Sequence, residues 1–233
     1  MDTKQISLEQ EREQLQAAFI SKVYGWMSCA LVVTGVVAMW ASSTDAVINL
    51  LFGGGSSLPF YLLIAAEFGA VIYLTARINK MSAETAGTVF LLYSVLNGLT
   101  LSMVFLIYTS QSIASTFLIT AMTFGVMSAY GYMTKRDLTS IGNLAFMALI
   151  GLIIATVVNM FMQSEMLHYI IGYAGVLIFI ALTAYDTQKI KRMAAFEDDA
   201  ESSKKKSIFG ALMLYLDFVN LFLYLLRFLG DRR

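Results

Sequence analysis

Scarce residue types set the first limits on this chain of 233 residues. Its one cysteine, Cys29, excludes a disulfide within the chain, and its one histidine leaves no Cys/His cluster typical of zinc sites. A single proline suits long, uninterrupted helices. Only 14% of the residues are charged and the formal net charge is zero, which argues against nucleic acid as a partner.

Motifs of common enzyme classes are also missing. The sequence contains no HExxH pair, no P-loop and no GxGxxG motif following a strand. No serine or cysteine lies beside a base in a pattern typical of a catalytic nucleophile. The sequence therefore predicts a protein that is not an enzyme and that needs no cofactor.

Hydrophobic residues dominate what remains, at 58% of the chain, which is more than a soluble domain of this size can bury. About 20 apolar residues in a helix cross the hydrocarbon core of a bilayer. Seven continuous runs of this kind lie near Val23–Ala41, Phe60–Ala76, Gly87–Tyr108, Ile113–Met133, Ile141–Met162, His168–Gln188 and Ile208–Leu229. The runs do not alternate in polarity, so we predict an all-α polytopic membrane protein with seven transmembrane helices.

The runs imply a simple organisation. Residues 1–18 are predicted to be a polar tail, and residues 19–230 a single seven-helix transmembrane domain. The tail lacks the pattern of a cleaved signal peptide, so the first span is expected to be an uncleaved anchor. Two connections are long. Ser42–Leu58 is rich in Gly and Ser and is expected to be flexible, whereas Lys189–Ser207 has an acidic block between basic ones, which is typical of a solvated loop.

Lysine and arginine predict the orientation. They occur in the N-terminal tail and in the loops after the second, fourth and sixth spans, and are absent from the other loops. The positive-inside rule therefore places the N-terminus in the cytoplasm. Seven spans place the C-terminus on the far side, although its basic sequence GDRR argues mildly against this. A re-entrant last span would return the tail to the cytoplasm.

Four ionisable residues lie within the apolar runs, namely Glu67, Asp186, Asp217 and Arg227. Each costs at least about 2.5 kcal/mol at membrane depth, so its presence needs a reason. Asp186 and Asp217 both fall in the cytoplasmic half, where Arg77 ends the second span, and these three can meet in one site. Glu67 and Arg227 fall in the outer half and can pair. The last helix contributes one residue to each of these two groups, Asp217 to the first and Arg227 to the second. We therefore expect it at the centre of the bundle.

Both groups have a structural and a functional interpretation. An intramembrane ion pair between Glu67 and Arg227 is explained best by helix packing. Two carboxylates side by side cannot both ionise cheaply, so Asp186 and Asp217 would share one proton and titrate as a pair. Such a pair indicates a pH sensor, and its hard oxygen atoms are also ligands that Ca²⁺ accepts.

The segments around these residues resemble the Bax inhibitor-1 family, also called the transmembrane Bax inhibitor motif family, in its bacterial inner-membrane branch. ALTAYDTQKIKR and GALMLYLDFVNLFLYLLRFLG resemble its C-terminal signature, and AEFGAVIYLTARINKMS and LLYSVLNGLTLSMVF resemble its second and third spans. The resemblance implies seven helices with the last one central, and a pH-sensitive calcium leak. It also implies that Asp186 and Asp217 control opening, that Arg77 tethers them, and that Glu67 pairs with Arg227.

Three functional hypotheses follow. The first is a passive calcium or cation pathway, closed while the aspartates share a proton and opened when they lose it. The second is a non-transporting regulator that binds and restrains a membrane-bound ATP-dependent protease, as some bacterial relatives do. The third is calcium/proton exchange. The sequence leaves open the cation selectivity, the direction of flux, the oligomeric state and the role of the long loop 189–207.

Overall fold

Eight α-helices account for most of the residues that this computed structural model describes, which are residues 3–53, 55–194 and 199–233. The helices are α1 (Thr3–Ser42), α2 (Asp45–Phe52), α3 (Leu58–Arg77), α4 (Ala83–Ile107), α5 (Ser110–Met133), α6 (Thr139–Met162), α7 (Glu165–Met193) and α8 (Ala200–Leu229). All but α2 are long and apolar enough to cross a membrane. The prediction of an all-α protein with seven spans is confirmed.

The first and last helices extend beyond the hydrophobic runs. α1 begins at Thr3, about twenty residues before the predicted span, and α8 begins at Ala200 rather than at Ile208. Hydropathy identifies the part of a helix that lies in lipid, whereas backbone hydrogen bonding continues into water wherever the residues are good helix formers. The polar residues before each run, rich in Glu, Gln, Ser and Lys, allow this continuation.

Both long loops are shorter than predicted. The Gly/Ser-rich segment Ser42–Leu58 contains the short helix α2, which buries Leu51. The segment Lys189–Ser207 is mostly helical, because α7 continues to Met193 and α8 starts at Ala200. Residues 195–198 of the predicted acidic block lie outside the described residues. The interpretation of these two segments as a flexible loop and a solvated loop was therefore wrong for their helical parts.

Asp199 explains why α8 starts where it does. Its carboxylate Oδ1 accepts a hydrogen bond from the Ser202 backbone N–H at 3.0 Å, and its carbonyl accepts from the Ser203 N–H at 3.0 Å. These bonds satisfy donors that a helix N-terminus leaves free. They also lower the pKa of the Asp199 carboxyl, chiefly through the bonds from Ser202. Part of the acidic block is thus a helix cap.

The helices group into two compact units, and α8 contributes to both. In the first unit, α4 packs against α1 and α3. The Thr34 hydroxyl donates to the Ser94 carbonyl at 2.9 Å, and a side chain at Gly98 would lie 2.8 Å from the Thr34 carbonyl oxygen. Small residues therefore let α1 and α4 approach closely.

The second unit contains α5, α6, α7 up to Arg192 and the second part of α8. Its packing also depends on glycines, which face α7 from α5 and α6 and face α8 from α7. Both candidate aspartates lie in this unit. The prediction of one transmembrane domain over residues 19–230 stays a prediction.

α8 is the most buried of the seven spans. Within its most apolar stretch 56% of the residues are buried, compared with 39% in α7, the next most buried. Tyr215, Leu221 and Leu226 have 1% or less of their surface exposed. This is the degree of burial that a central last helix requires.

In the first unit, two hydrogen bonds join α4 to the start of α8 and to Arg233. Near the start of α8, Glu201 Oε1 accepts a hydrogen bond from the Ala83 N–H at 2.6 Å. Beyond its end, the Arg233 N–H donates to the Ile107 carbonyl at 2.9 Å. Ala83 and Ile107 are the first and last residues of α4. α8 itself is one continuous helix from Ala200 to Leu229. A full crossing of the membrane by the last span stays a prediction.

Candidate functional site

The candidate site is formed by Asp186 of α7 and Asp217 of α8, both in the second unit. Asp217 has only 4% of its surface exposed, and Asp186 is half-buried. The two carboxyl groups are close enough for their charges to interact. The structure therefore brings together the two aspartates that sequence depth alone placed in the same half of the membrane.

Asp217 is poorly satisfied. Its Oδ2 atom is buried and has no hydrogen-bond partner among the described residues. A buried polar atom without a partner is costly, and a buried carboxylate next to another carboxylate is more so. Sharing one proton between the two groups reduces both costs, because it removes a charge and supplies a donor. The geometry thus suits a pair whose stability changes with protonation.

The side chains next to Asp217 make its surroundings apolar. Phe218, the following residue, packs edge-to-face on Phe117 and Phe124 of α5, with ring centroids 5.3 and 5.4 Å apart. Phe222, one turn later, lies 6.2 Å from Phe117. These rings offer no hydrogen-bond donor, so charge interactions at Asp217 are weakly screened.

The nearby hydroxyl groups of α7 are already used within the protein. Thr183 donates to the Phe179 carbonyl at 2.7 Å, and Thr187 donates to the Thr183 carbonyl at 2.8 Å. Both residues are buried. Both hydroxyls donate their hydrogen bonds to carbonyls of the helix backbone. The carboxylates are therefore the dominant polar groups of the site.

Close helix packing fixes the segment of α7 that carries Asp186. A side chain at Gly131 of α5 would overlap the carbonyl of Ala184, and one at Gly142 of α6 would overlap the ring of Tyr185. These two α7 residues immediately precede Asp186. A displacement of the dyad must therefore come mainly from α8 or from a shift of the whole helix.

Lys189 is a neighbour of Asp186 that the site prediction missed. It lies three residues later on α7, and its charge interacts favourably with the Asp186 carboxylate. Its ammonium also lies 5.9 Å from the centre of the Tyr185 ring. The spacing of three residues on one helix face was visible in the sequence and would have indicated the contact.

Gln188 and Arg192 form a second polar network at the same end of α7. Gln188 Oε1 accepts from the Leu138 N–H at 2.9 Å, and its Nε2 donates to the Arg136 carbonyl at 2.8 Å. Arg192 pairs with Asp137 at 2.7 Å. Hydrogen bonds from Thr139 and then from Arg192 hold the pKa of Asp137 well below its usual range. The network fastens the α5–α6 connection to α7.

Glu67 lies on α3 in the first unit and is 9% exposed. Its carboxylate accepts hydrogen bonds from the Asn97 side chain at 3.2 Å and from the Thr100 hydroxyl, both on α4. These bonds join α3 to α4. Arg227 belongs to the second unit, where its guanidinium lies 5.6 Å from the Tyr224 ring centre. The Glu67–Arg227 pair stays a prediction.

Arg77 is the last residue of α3, and its side chain is exposed. It belongs to the first unit and the two aspartates belong to the second. Its role as a tether of the dyad stays a prediction.

The described residues contain no group of three or more His, Cys, Asp or Glu side chains arranged to hold a metal ion. Calcium takes six to eight oxygen ligands, so Asp186 and Asp217 would supply only part of a coordination shell, with water or backbone carbonyls as the rest. Such a site suits an ion in passage better than one held tightly. Calcium binding by the pair stays a prediction.

Known proteins resemble this chain over nearly its whole length. The sequence model of a family described as "Inhibitor of apoptosis-promoting Bax1" matches residues 16–233. The chain is 50% identical over 230 residues to the inner membrane protein YbhL of Escherichia coli K12, which covers 97% of each chain. It is 46% identical over 231 residues to an uncharacterised protein of Borreliella burgdorferi, covering 98% of this chain and 99% of that protein. An uncharacterised membrane protein of Streptococcus pyogenes is 38% identical over 160 residues, or 69% of each chain.

Proposed function

The chain belongs to the Bax inhibitor-1 family of membrane proteins, and on that premise we propose that it is a pH-sensitive calcium leak channel of a bacterial inner membrane. The inner-membrane location is supported by the name of its relative in Escherichia coli. The N-terminus would lie in the cytoplasm, as the distribution of Lys and Arg favours. An odd number of spans would then place the C-terminus on the opposite side.

The observation that carries the proposal is that Asp186 and Asp217 lie close enough for their charges to interact, while one buried oxygen of Asp217 has no hydrogen-bond partner among the described residues. While the pair shares a proton, the two carboxyl groups attract each other. Loss of that proton replaces attraction by repulsion between two charges in apolar surroundings. Protonation therefore biases a two-state element, which is the physical requirement for a pH-controlled gate.

We propose that α8 is the part that moves. The α7 segment around Asp186 is held by Gly131 and Gly142, where a neighbouring helix approaches too closely for a side chain. The Oδ2 atom of Asp217, by contrast, is held by no hydrogen bond from the part of the chain that the structure describes. In the closed state Arg77 would add a cation to the pair, and in the open state two carboxylates would offer passing Ca²⁺ hard oxygen ligands.

Purified protein in liposomes loaded with a Ca²⁺-sensitive dye tests the proposal. Calcium entry is measured from about pH 6 to about pH 8, where a shared carboxyl proton can titrate. Asp186→Asn and Asp217→Asn are compared with the parent. Glu84→Gln is the control, because Glu84 is an exposed acid in the first turn of α4, outside the unit that holds the dyad. We expect a flux that rises with pH, that both dyad variants alter, and that the control leaves unchanged.

The same vesicles separate the rival functions. Calcium accumulation against its own gradient, driven by a pH gradient alone, would identify an exchanger instead of a leak. Flux no greater than that of empty liposomes at every pH would reject transport. A loss of cellular effect on deleting residues 1–16, with flux intact, would support a regulator that restrains a membrane-bound protease.

A further inference from the structure

A cavity of about 550 Å³ lies within the second unit, where α6 ends, α7 begins and α8 ends. The residues that give it its polar character are Asn159, Gln163, Glu165, His168, Arg227 and Arg232. None of these residues belongs to the Asp186–Asp217 dyad of the proposed leak mechanism. The cavity is large enough for a small charged group with several hydrogen-bond partners.

The charge of the cavity is predominantly positive. Two arginines line it against one carboxylate, Glu165. His168 lies within electrostatic range of both Arg227 and Arg232, so the three basic side chains converge on one region. Guanidinium groups present planar sets of donors that match the oxygens of a phosphate or carboxylate. The geometry of the lining therefore favours an anion.

The start of α7 adds to this preference. Ser164 accepts a hydrogen bond from the Leu167 N–H at 3.3 Å, and Asn159 Oδ1 accepts from the Ser164 N–H at 3.0 Å. These bonds fix the first turn of α7 at the edge of the cavity. The positive end of the helix dipole then acts in the same direction as the arginines.

Both arginines are available for a ligand. Neither Arg227 nor Arg232 takes part in an ion pair within 4.0 Å among the described residues. Arg227 lies over the ring of Tyr224, which leaves the edges of the guanidinium free to donate.

The surroundings of the cavity are those of a membrane surface. Among its lining residues Met160 is 71% exposed and Tyr169 is 56% exposed. The neighbouring Phe161 and Met166 are also exposed. Apolar side chains exposed at the ends of spanning helices face lipid, and tyrosine is enriched at that depth. An anion bound here would lie at headgroup level with acyl chains beside it.

We propose that this cavity binds the phosphodiester of a membrane phospholipid. Arg227 and Arg232 would donate to the phosphate oxygens. Glu165 would accept from the hydroxyl or ammonium donors of a glycerol or ethanolamine headgroup, which a choline headgroup lacks. The proposal does not depend on calcium transport, because lipid binding is measured without any flux.

Native mass spectrometry of delipidated protein in detergent tests the proposal, with phosphatidylglycerol, phosphatidylethanolamine and phosphatidylcholine added in turn. We expect the first two lipids to be retained in preference to the third. Arg232→Ala should weaken that retention about tenfold, because it removes charge-assisted hydrogen bonds. Arg232 is exposed and follows the last helix, so its replacement leaves the fold intact. Lys135→Ala, an exposed cation elsewhere in the same unit, is the matched control and should bind like the parent.

Two further measurements decide the chemistry. Glu165→Gln should reduce the preference for glycerol and ethanolamine headgroups over choline, while overall binding persists. Displacement of the lipid by millimolar inorganic phosphate would show that the site binds free phosphate, and would overturn the proposal that its ligand is a phospholipid. Equal lipid retention by the parent, Arg232→Ala and Arg227→Gln would overturn the site itself.

Discussion

Asp231 and Ser112 exchange two hydrogen bonds in the second unit. The Asp231 N–H donates to the Ser112 hydroxyl at 3.0 Å, and that hydroxyl donates to Asp231 Oδ2 at 3.3 Å. The Asp231 carbonyl also accepts from the Thr109 N–H at 3.0 Å. The C-terminal tail is thus fastened to the start of α5, at the residues that cap that helix.

Replacing Asp231 by Ala tests this fastening. The variant keeps the backbone bonds and loses the carboxylate acceptor, so we expect the free energy of unfolding to fall by about 1 kcal/mol. For a chain of this size, that corresponds to a melting temperature lower by about 2–4 °C. Thermal unfolding in detergent measures the shift. Asp231→Asn keeps an acceptor and should lose less, so equal shifts in the two variants would contradict the explanation.

Glu201 provides a similar test at the other end of α8. Its carboxylate accepts from the N–H of Ala83, the first residue of α4, at 2.6 Å. An acid at a helix N-terminus satisfies a free donor and interacts favourably with the dipole. Glu201→Ala should therefore cost about 1 kcal/mol, and Glu201→Gln less, since the amide oxygen still accepts. Glu13→Gln, an exposed acid on α1, serves as the control and should leave the melting temperature unchanged.

Asp137 gives a prediction about pH. Hydrogen bonds from Thr139 and Arg192 lower the pKa of Asp137 in the folded protein. A lowered folded pKa gives stability that is fully present above the unfolded pKa of about 3.9 and is lost as pH falls through the folded pKa. The difference in melting temperature between the parent and Asp137→Asn should thus stay constant from about pH 6 to about pH 8. It should narrow only in strong acid. A difference that changes in the neutral range would contradict this assignment.

We expect Asp217 to lower the stability of the folded protein. Its buried oxygen lacks a partner among the described residues, and Asp186 repels its charge. Asp217→Asn removes a carboxyl that can carry this charge, so it should raise the melting temperature by a few degrees. Asp186→Asn should raise it less, because that change also removes a favourable interaction with Lys189. A lower melting temperature for Asp217→Asn than for the parent would contradict a strained dyad.

Hydropathy predicted the fold well because the bilayer constrains it so strongly. Each continuous apolar run corresponds to one spanning helix, since a helix satisfies its own backbone in lipid. The starts of α1 and α8 were missed because their polar residues carry no hydropathic signal. The Asp199 cap that starts α8 follows a local pattern, an acid three residues before Ser202, and a search for caps would have found it.

The candidate site was predictable only in part. Membrane depth indicated that Asp186 and Asp217 lie at one level, and the structure brings their charges within range. Depth does not report which faces of two helices meet. The partners of Glu67 on α4, Asn97 and Thr100, therefore could not be selected from among the polar residues at that depth. The cavity at Arg227 and Arg232 depends on where three helix ends meet, which is a property of tertiary packing.

Gly131 and Gly125 make a matched pair on α5 that tests the packing beside the dyad. A side chain at Gly131 would overlap the Ala184 carbonyl, two residues before Asp186, whereas a side chain at Gly125 would meet no atom within 4 Å. Gly131→Ala should cost about 1–3 kcal/mol, because a backbone atom must move to make room. Gly125→Ala should be neutral or stabilising by up to about 1 kcal/mol, because Ala is the better helix former.

The same pair connects packing to gating. If α7 must be held for the dyad to work, Gly131→Ala should change the pH dependence of calcium flux in liposomes while Gly125→Ala leaves it unchanged. Thermal unfolding in detergent measures the stability of each variant, and flux in liposomes made from the same preparation measures its pH dependence. A Gly131→Ala protein that melts at a lower temperature but keeps the parent's pH profile would show that the position of α7 at Ala184 does not control the gate. The opposite result would make this contact between α5 and α7 the rigid support against which α8 moves.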